Sequence, residues 1–197
     1  MNMGALNALP EDIAVGELLR CCGSSRWARE MAAARPFVSF DAAAAAADRI
    51  WDKVTPADWL EAFAAHPRIG EGAGRAGRAG RAGGAGGAGT GGGAGEAGEK
   101  ARTAEWAHQE QAGARDASEA VRDRLAAANR EYESRFGYLF IVCATGKSAE
   151  EMLAILERRL VNDPARELRI AAEEQRKITR LRLAKLLEPR GDRVRGR

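Results

Sequence analysis

The chain has 197 residues, 45% of them hydrophobic, with 31 Lys and Arg against 28 Asp and Glu for a formal net charge of +3. That length suits one domain with a tail and is enough to bury a core. The near-balance of charge argues against a nucleic-acid partner, and no apolar run approaches the roughly 20 residues of a membrane span. Cys21, Cys22 and Cys143 are odd in number and show no C-x-x-C spacing, so a reduced compartment and no metal site are expected. The residues at 1–7 lack the charged start and apolar core of a signal peptide, which adds to the expectation of a cytoplasmic location.

In chain order, Pro10-Glu11-Asp12 opens a helical segment carrying Ile13, Val15, Leu18 and Leu19 and running to Cys22-Gly23. An alanine-rich helix is predicted from about Phe40 to Asp52. Thr55 sets a cap residue before Pro56 at the first helical position of a helix ending at Ala65. Residues 71–98 are Gly and Ala with spaced Arg75, Arg78 and Arg81. They cannot offset their ordering entropy by burying apolar area, so a disordered loop insertion is predicted. A coil of that kind spans roughly 30 Å and returns without straining the fold.

One long helix is then predicted over about Thr103 to Glu133. Tyr138–Cys143 is strand-like but has no partner strand in the sequence, and reads as buried, extended or tightly turned chain between helices. Ser148-Ala149-Glu150-Glu151 is a capping box for a helix running to Val161. Asn162-Asp163-Pro164 breaks it and starts a last helix reaching about Leu187, before a basic flexible tail at 189–197. The predicted class is all-α, a single compact multi-helix domain over residues 1–188.

Three ionisable residues sit where apolar ones are expected, and burying them is expensive without a reason. On a helical wheel of the long helix, Trp106, Ala107, Ala114, Ala117, Val121, Leu125, Ala128 and Tyr132 fall within about 60° of Glu110. Glu110 therefore lies on the buried face, Gln111 at its edge, and His108 on the solvent side. In a dry site Trp106 would help raise the pKa of Glu110, as a general acid needs. His66, in Ala65-His66-Pro67-Arg68-Ile69-Gly70, precedes a proline that forces an extended exit from the helix. In the last helix Leu168, Ala171, Gln175, Ile178, Arg182 and Leu186 cluster within about 80°, with Arg182 central, while Arg176 and Arg180 point away. A guanidinium on a core stripe wants a carboxylate or an anionic ligand. An Arg182–Glu110 ion pair without a ligand, and a capping or core His66, are the competing structural readings.

Together these features resemble the 2-oxo-4-hydroxy-4-carboxy-5-ureidoimidazoline (OHCU) decarboxylases of urate degradation. The resemblance runs from Leu6-Asn7 to about Leu187, outside residues 71–98. It is carried by Cys22-Gly23-Ser24-Ser25-Arg26-Trp27, Arg35-Pro36-Phe37, Asp58-Trp59-Leu60, His66-Pro67-Arg68-Ile69-Gly70 and Gln109-Glu110-Gln111-Ala112-Gly113. It continues through Tyr132-Glu133-Ser134-Arg135-Phe136-Gly137, Phe140-Ile141-Val142-Cys143, Arg159-Leu160-Val161-Asn162 and Lys177-Ile178-Thr179-Arg180-Leu181-Arg182-Leu183. Two departures stand out: the connection between the histidine and the Glu-Gln motif is longer than usual, and Ala107 stands where many members have Ser.

The resemblance implies a cofactor-free helical enzyme, often dimeric, that converts OHCU to (S)-allantoin and carbon dioxide. It implies His66 as a general acid/base at the hydroxyl-bearing, carboxylated carbon, and Glu110 as a second acid/base assisting proton delivery to the ring. Pro67 would set the angle of His66, and Gln111 would hydrogen-bond the ring or ureido group. Arg182 would hold an anionic or carbonyl oxygen, and backbone amides at Phe140, Ile141 and Val142 would fix the ureido end. A homodimer and a functional association with urate oxidase and 5-hydroxyisourate hydrolase belong to the same expectation, with no metal, nucleic acid or membrane. Two rival readings make different predictions. A non-catalytic helical adaptor would show no change in melting temperature with allantoin. An RNA-binding module using the Arg-Gly-Ala loop would show affinity falling steeply with salt and lost on deleting 71–98.

Overall fold

The computed structural model of the chain describes residues 1–69, 106, 109–110, 112 and 117–188. Among them are eight named helices: α1 (Met3–Ala8), α2 (Glu11–Leu19), α3 (Ser25–Ala33), α4 (Phe40–Trp51), α5 (Pro56–Ala64), α6 (Glu119–Phe136), α7 (Ala149–Leu160) and α8 (Pro164–Leu187). No strand occurs among the described residues, so the architecture is all-α. Tyr138–Cys143 is chain without regular structure between α6 and α7, as its isolation in the sequence requires. The predicted loop at 71–98 and the tail at 189–197 lie outside the described residues. None of the described helices is long and apolar enough to cross a membrane.

Most helix starts are written locally. Asn2, Ser24, Ser39, Ser118 and Ser148 each accept a hydrogen bond from a backbone N–H of the first turn they precede, and each such cap contributes about 1 kcal/mol. At Ser148 the capping box is complete, since the Glu151 carboxylate accepts from the Ser148 N–H. At α5 the Asp58 carboxylate accepts from both the N–H and the hydroxyl of Thr55 at 2.7 Å.

The long helix predicted over 103–133 is not one helix. Ala117 and Ser118 are non-helical, and Ser118 is extended at φ −61°, ψ 155°, with its hydroxyl accepting from Val121 N–H at 3.3 Å. The serine offers the backbone an alternative to the ladder and restarts the helix at Glu119. At the far end α6 continues to Phe136, where Gly137 at φ +80° donates to the Glu133 carbonyl at 2.8 Å and closes it.

The described chain forms two compact units, Met1–Phe63 with the chain from Ala172 onward, and Ala64–Ala171. In the first, α3 buries Trp27, Ala28, Met31 and Ala32, and α4 buries Ala43, Ala44, Ala46 and Ala47 with Ile50 and Trp51. The alanines allow close approach, and two indoles lock it. Trp27 Nε1 donates to the Ala47 carbonyl and Trp51 Nε1 to the Ala172 carbonyl of α8, both at 3.1 Å. In the second unit, Leu125, Ala128 and Tyr132 of α6 pack with Met152, Leu156 and Leu160 of α7. Ile69, Ala117, Phe140, Val142, Ala144 and Ala149 complete that cluster. Burying each of its large side chains contributes about 1.5–3 kcal/mol.

Candidate active site

His66 lies in the bend that follows α5, half-buried, with Pro67 and Arg68 exposed after it. Proline cannot supply the N–H a further helical turn needs, so the chain must leave the helix here. The exit is then tied down from the other side. Arg68 makes a two-pronged ion pair with Glu133 of α6, Nε to Oε1 at 2.7 Å and Nη2 to Oε2 at 2.8 Å. Ile69 is buried in the cluster of the second unit, and Asn129 Nδ2 donates to its carbonyl at 3.4 Å. The histidine thus hangs between a helix end and an anchored tripeptide.

Glu110 is helical and buried, at 9% exposure, whereas Gln109 beside it is exposed and Trp106 half-buried. The inward carboxylate expected from the sequence is therefore inward. Its phase relative to Leu125 and Tyr132, however, is not carried by one continuous helix, because Ser118 interrupts it. Gln111, Ala107 and His108 lie outside the described residues.

Phe140, Ile141 and Val142 are buried at 4%, 2% and 5% exposure. Phe140 and Val142 share the cluster that holds Ile69, so the segment and the end of the His66 turn are set by one core. The segment's carbonyls are held by side chains. Arg159 Nη1 donates to the Ile141 carbonyl at 2.8 Å and Lys147 Nζ to the Cys143 carbonyl at 2.7 Å. Both contacts use the carbonyls and not the amides.

Behind it lies a buried polar network that no single helix wheel announces. Arg159, from the last turn of α7, faces the fully buried Glu167 of α8, with Nε at 2.7 Å and Nη2 at 2.6 Å from Oε1. The Tyr132 hydroxyl also donates to Oε1, and Asn162 Nδ2 donates to Oε2 at 2.7 Å. Burial, followed by that bond to the Glu167 carboxylate, holds the Tyr132 phenol far above its ordinary pKa, so it remains a donor. Glu167 was open to discovery: it sits four residues before Ala171 and eight before Gln175, on the stripe that holds Arg182.

Arg182 is buried at 3% exposure and belongs to the first unit, as do Gln175, Ile178 and Leu186 on the same stripe. The wheel is borne out, and Arg176 and Arg180, set apart from the stripe, pair with Asp52, the C-cap of α4, and with Asp48 within α4. Arg182 acts on the fully buried Cys21 and Cys22. Burial pushes those thiols up to about 12 and about 11, while the guanidinium pulls both back. Among the described residues no group of three or more His, Cys, Asp or Glu is placed to hold a metal ion.

Comparison with known proteins identifies the family of the chain. The family model described as OHCU decarboxylase matches residues 7–184. The chain is 38% identical over 166 residues to a uric acid degradation bifunctional protein of Arabidopsis thaliana, an alignment covering 84% of this chain and 45% of that one. It is 43% identical over 83 residues to the OHCU decarboxylase of Amia calva, covering 41% of this chain and 46% of that one. The chain thus spans less than half the length of these curated relatives. A crystal structure of OHCU decarboxylase in the presence of (S)-allantoin superposes with a TM-score of 0.65 at 35% identity, covering 87% of this chain and 97% of that one. With a family match that extends over nearly the whole chain, the protein belongs to the OHCU decarboxylase family.

Proposed function

We propose that the protein decarboxylates OHCU to (S)-allantoin and carbon dioxide without a cofactor, residues 1–188 forming the catalytic domain. The observation that carries the reading is its likeness to an OHCU decarboxylase whose crystal structure was determined in the presence of (S)-allantoin. The described residues support it, with a buried Glu110 and a half-buried His66 whose turn is stopped by Pro67.

The substrate supplies its own electron sink. The bond between the carboxylate and the hydroxyl-bearing carbon breaks, carbon dioxide leaves, and the electron pair moves through the adjacent ring C=N to its nitrogen, which takes up a proton to give an enamine. A proton is then gained on one face of the ureido-bearing carbon while the hydroxyl proton is lost, leaving the carbonyl of allantoin. The protein must orient and desolvate the carboxylate and move protons. On this reading His66 works as general acid/base at the hydroxyl-bearing carbon and Glu110 assists proton delivery to the ring. Gln111 hydrogen-bonds the ring or ureido group, Arg182 holds an oxygen, and the amides of the 140–142 segment bind the ureido end.

The same reading includes a homodimer in the cytoplasm. A relative named as a bifunctional uric acid degradation protein supports functional association with urate oxidase and 5-hydroxyisourate hydrolase. The test follows allantoin formation by circular dichroism, with OHCU generated in situ from urate by those two enzymes. Uncatalysed decay gives racemic product, so a growing (S)-allantoin signal that vanishes with His66→Ala is the expected result. No signal above the enzyme-free control, from folded protein, would overturn the proposal.

A further inference from the structure

The motif Arg159-Leu160-Val161-Asn162 has no part in the reaction as written above, yet its two polar side chains converge on one buried carboxylate. Replacing a buried ion pair by apolar residues of similar volume is often neutral or stabilising, so stability alone does not call for Arg159 and Glu167. Their geometry points elsewhere. The guanidinium is used on every side: Nε and Nη2 face Glu167 Oε1, Nη1 donates to the Ile141 carbonyl, and its face lies 4.8 Å from the centre of the Phe140 ring. Glu167 in turn accepts from Tyr132 on Oε1 and Asn162 on Oε2, so it cannot swing away. A side chain this constrained acts as a fixed post.

What the post holds is a peptide plane. The Ile141–Val142 peptide is planar and trans, so turning the Ile141 carbonyl toward Arg159 points the Val142 N–H in the opposite direction. Lys147 holds the Cys143 carbonyl and limits rotation on the far side. We propose that Arg159, locked by Glu167, is a positioning residue that aims the Val142 amide at the substrate. The inference rests on the decarboxylase reading, in which amides of this segment bind the ureido end. Lysine cannot replace it, because one ammonium does not present a planar fork to Glu167 while reaching Ile141 and stacking on Phe140.

The test compares the wild-type protein, Arg159→Lys, and Met152→Ala, a cavity in the same cluster that removes none of these polar groups. Each is measured for melting temperature, for kcat and KM with OHCU, and for amide hydrogen exchange at 140–142. In Arg159→Lys the Val142 amide is expected to exchange faster and KM to rise roughly tenfold, with a smaller change in kcat. Met152→Ala is expected to lower the melting temperature while keeping KM. Wild-type exchange at 140–142 in Arg159→Lys, or an unchanged KM, overturns the role of Arg159. A wild-type protein without turnover overturns the decarboxylase reading instead, and exchange still decides whether Arg159 fixes the segment. Should Arg159→Lys not fold, Glu167→Gln is measured on the same signals. It keeps the volume and an acceptor oxygen but removes the charge that locks Arg159, and the same outcomes support or overturn the proposal.

Discussion

Arg68 and Glu133 meet fork to fork, with two parallel N–H···O bonds of 2.7 and 2.8 Å, two residues after His66 and three before the last residue of α6. Asn129, Tyr132 and Glu133 lie at spacings of three and four on one face of that helix. Asn129 and Glu133 hold the turn that carries His66, while Tyr132 reaches the carboxylate that holds Arg159. One helical face therefore organises both the proposed general acid/base and the proposed ureido-binding segment.

Because the Arg68 and Glu133 side chains are 45% and 23% exposed, their pairing contributes about 1 kcal/mol or less to folding. Arg68→Ala should therefore lower the melting temperature by only about 2–4 °C or less. Its effect on the His66 turn is expected to be larger than that, with kcat falling roughly tenfold as the imidazole loses its aim. Scanning fluorimetry alongside steady-state kinetics checks this, and full kcat in a folded Arg68→Ala protein would remove the pair from the site's support.

The pair also sets a pH dependence. The hydrogen bond from Arg68, reinforced by its charge, holds the Glu133 carboxyl below its ordinary value of 4.5. A carboxyl with a lowered folded pKa contributes stability that is present above the unfolded value and lost as pH falls through the folded one. The His66 turn should thus stay latched at neutral pH and loosen only in acid below about 4.5. A carboxyl NMR titration should place Glu133 below the ordinary range in wild type and return it there in Arg68→Ala. An unshifted wild-type titration would contradict the latch.

Much of this was legible beforehand, and the failures have physical causes. Caps are local, so Thr55-Pro56 and the Ser148 box placed α5 and α7 within a residue or two of their observed ends. Stripes are local too, which is why buried Arg182 could be read from helix periodicity, whereas the stripe drawn through Glu110, which is buried, ran on past a break in the helix. Ser118 was overlooked because the apolar spacing runs on through it, and one side-chain bond to Val121 N–H decided against the longer helix. Helices α1 and α3 were not singled out, although Ser24 ahead of Trp27, Ala28, Met31 and Ala32 gives both a cap and a face. The Arg159–Glu167 pair was hidden for another reason. Glu167 lies on the buried stripe of α8, but a cation in the last turn of α7 reads as a solvated partner of the helix dipole, and only the fold brings the two together in the core.

Cys21 and Cys22 should be inert in the folded protein. Burial holds their thiols up to about 12 and about 11, so almost no thiolate forms near neutral pH. A thiol reagent at pH about 8 should modify at most the half-buried Cys143 in native protein and all three cysteines after denaturation. The linkage runs toward the alkaline side. A thiol whose folded pKa is raised contributes stability that is intact below the ordinary value of 9.0 and lost as pH rises toward the folded values. Rapid reaction of three thiols in native protein would show that the first unit opens.

The division of labour between His66 and Glu110 can be decided by a double-mutant cycle. His66→Asn and Glu110→Gln each nearly keep side-chain volume and hydrogen-bonding capacity while removing proton transfer. Each is expected to lower kcat by about 10²–10⁴. If the two groups serve one proton relay, the double variant should be little worse than the poorer single one, because losing either member already breaks the unit. If they act independently on one rate-limiting transition state, their losses in free energy should add, and the double variant should fall to the product of the single effects. Circular dichroism adds a second readout on the same samples. A variant that consumes OHCU faster than the enzyme-free control but yields racemic allantoin has lost the group that delivers the stereospecific proton, whereas one that yields (S)-allantoin slowly has lost a group acting earlier. Glu110→Gln giving (S)-allantoin at the wild-type rate would remove the buried carboxylate from the chemistry and leave it a structural role.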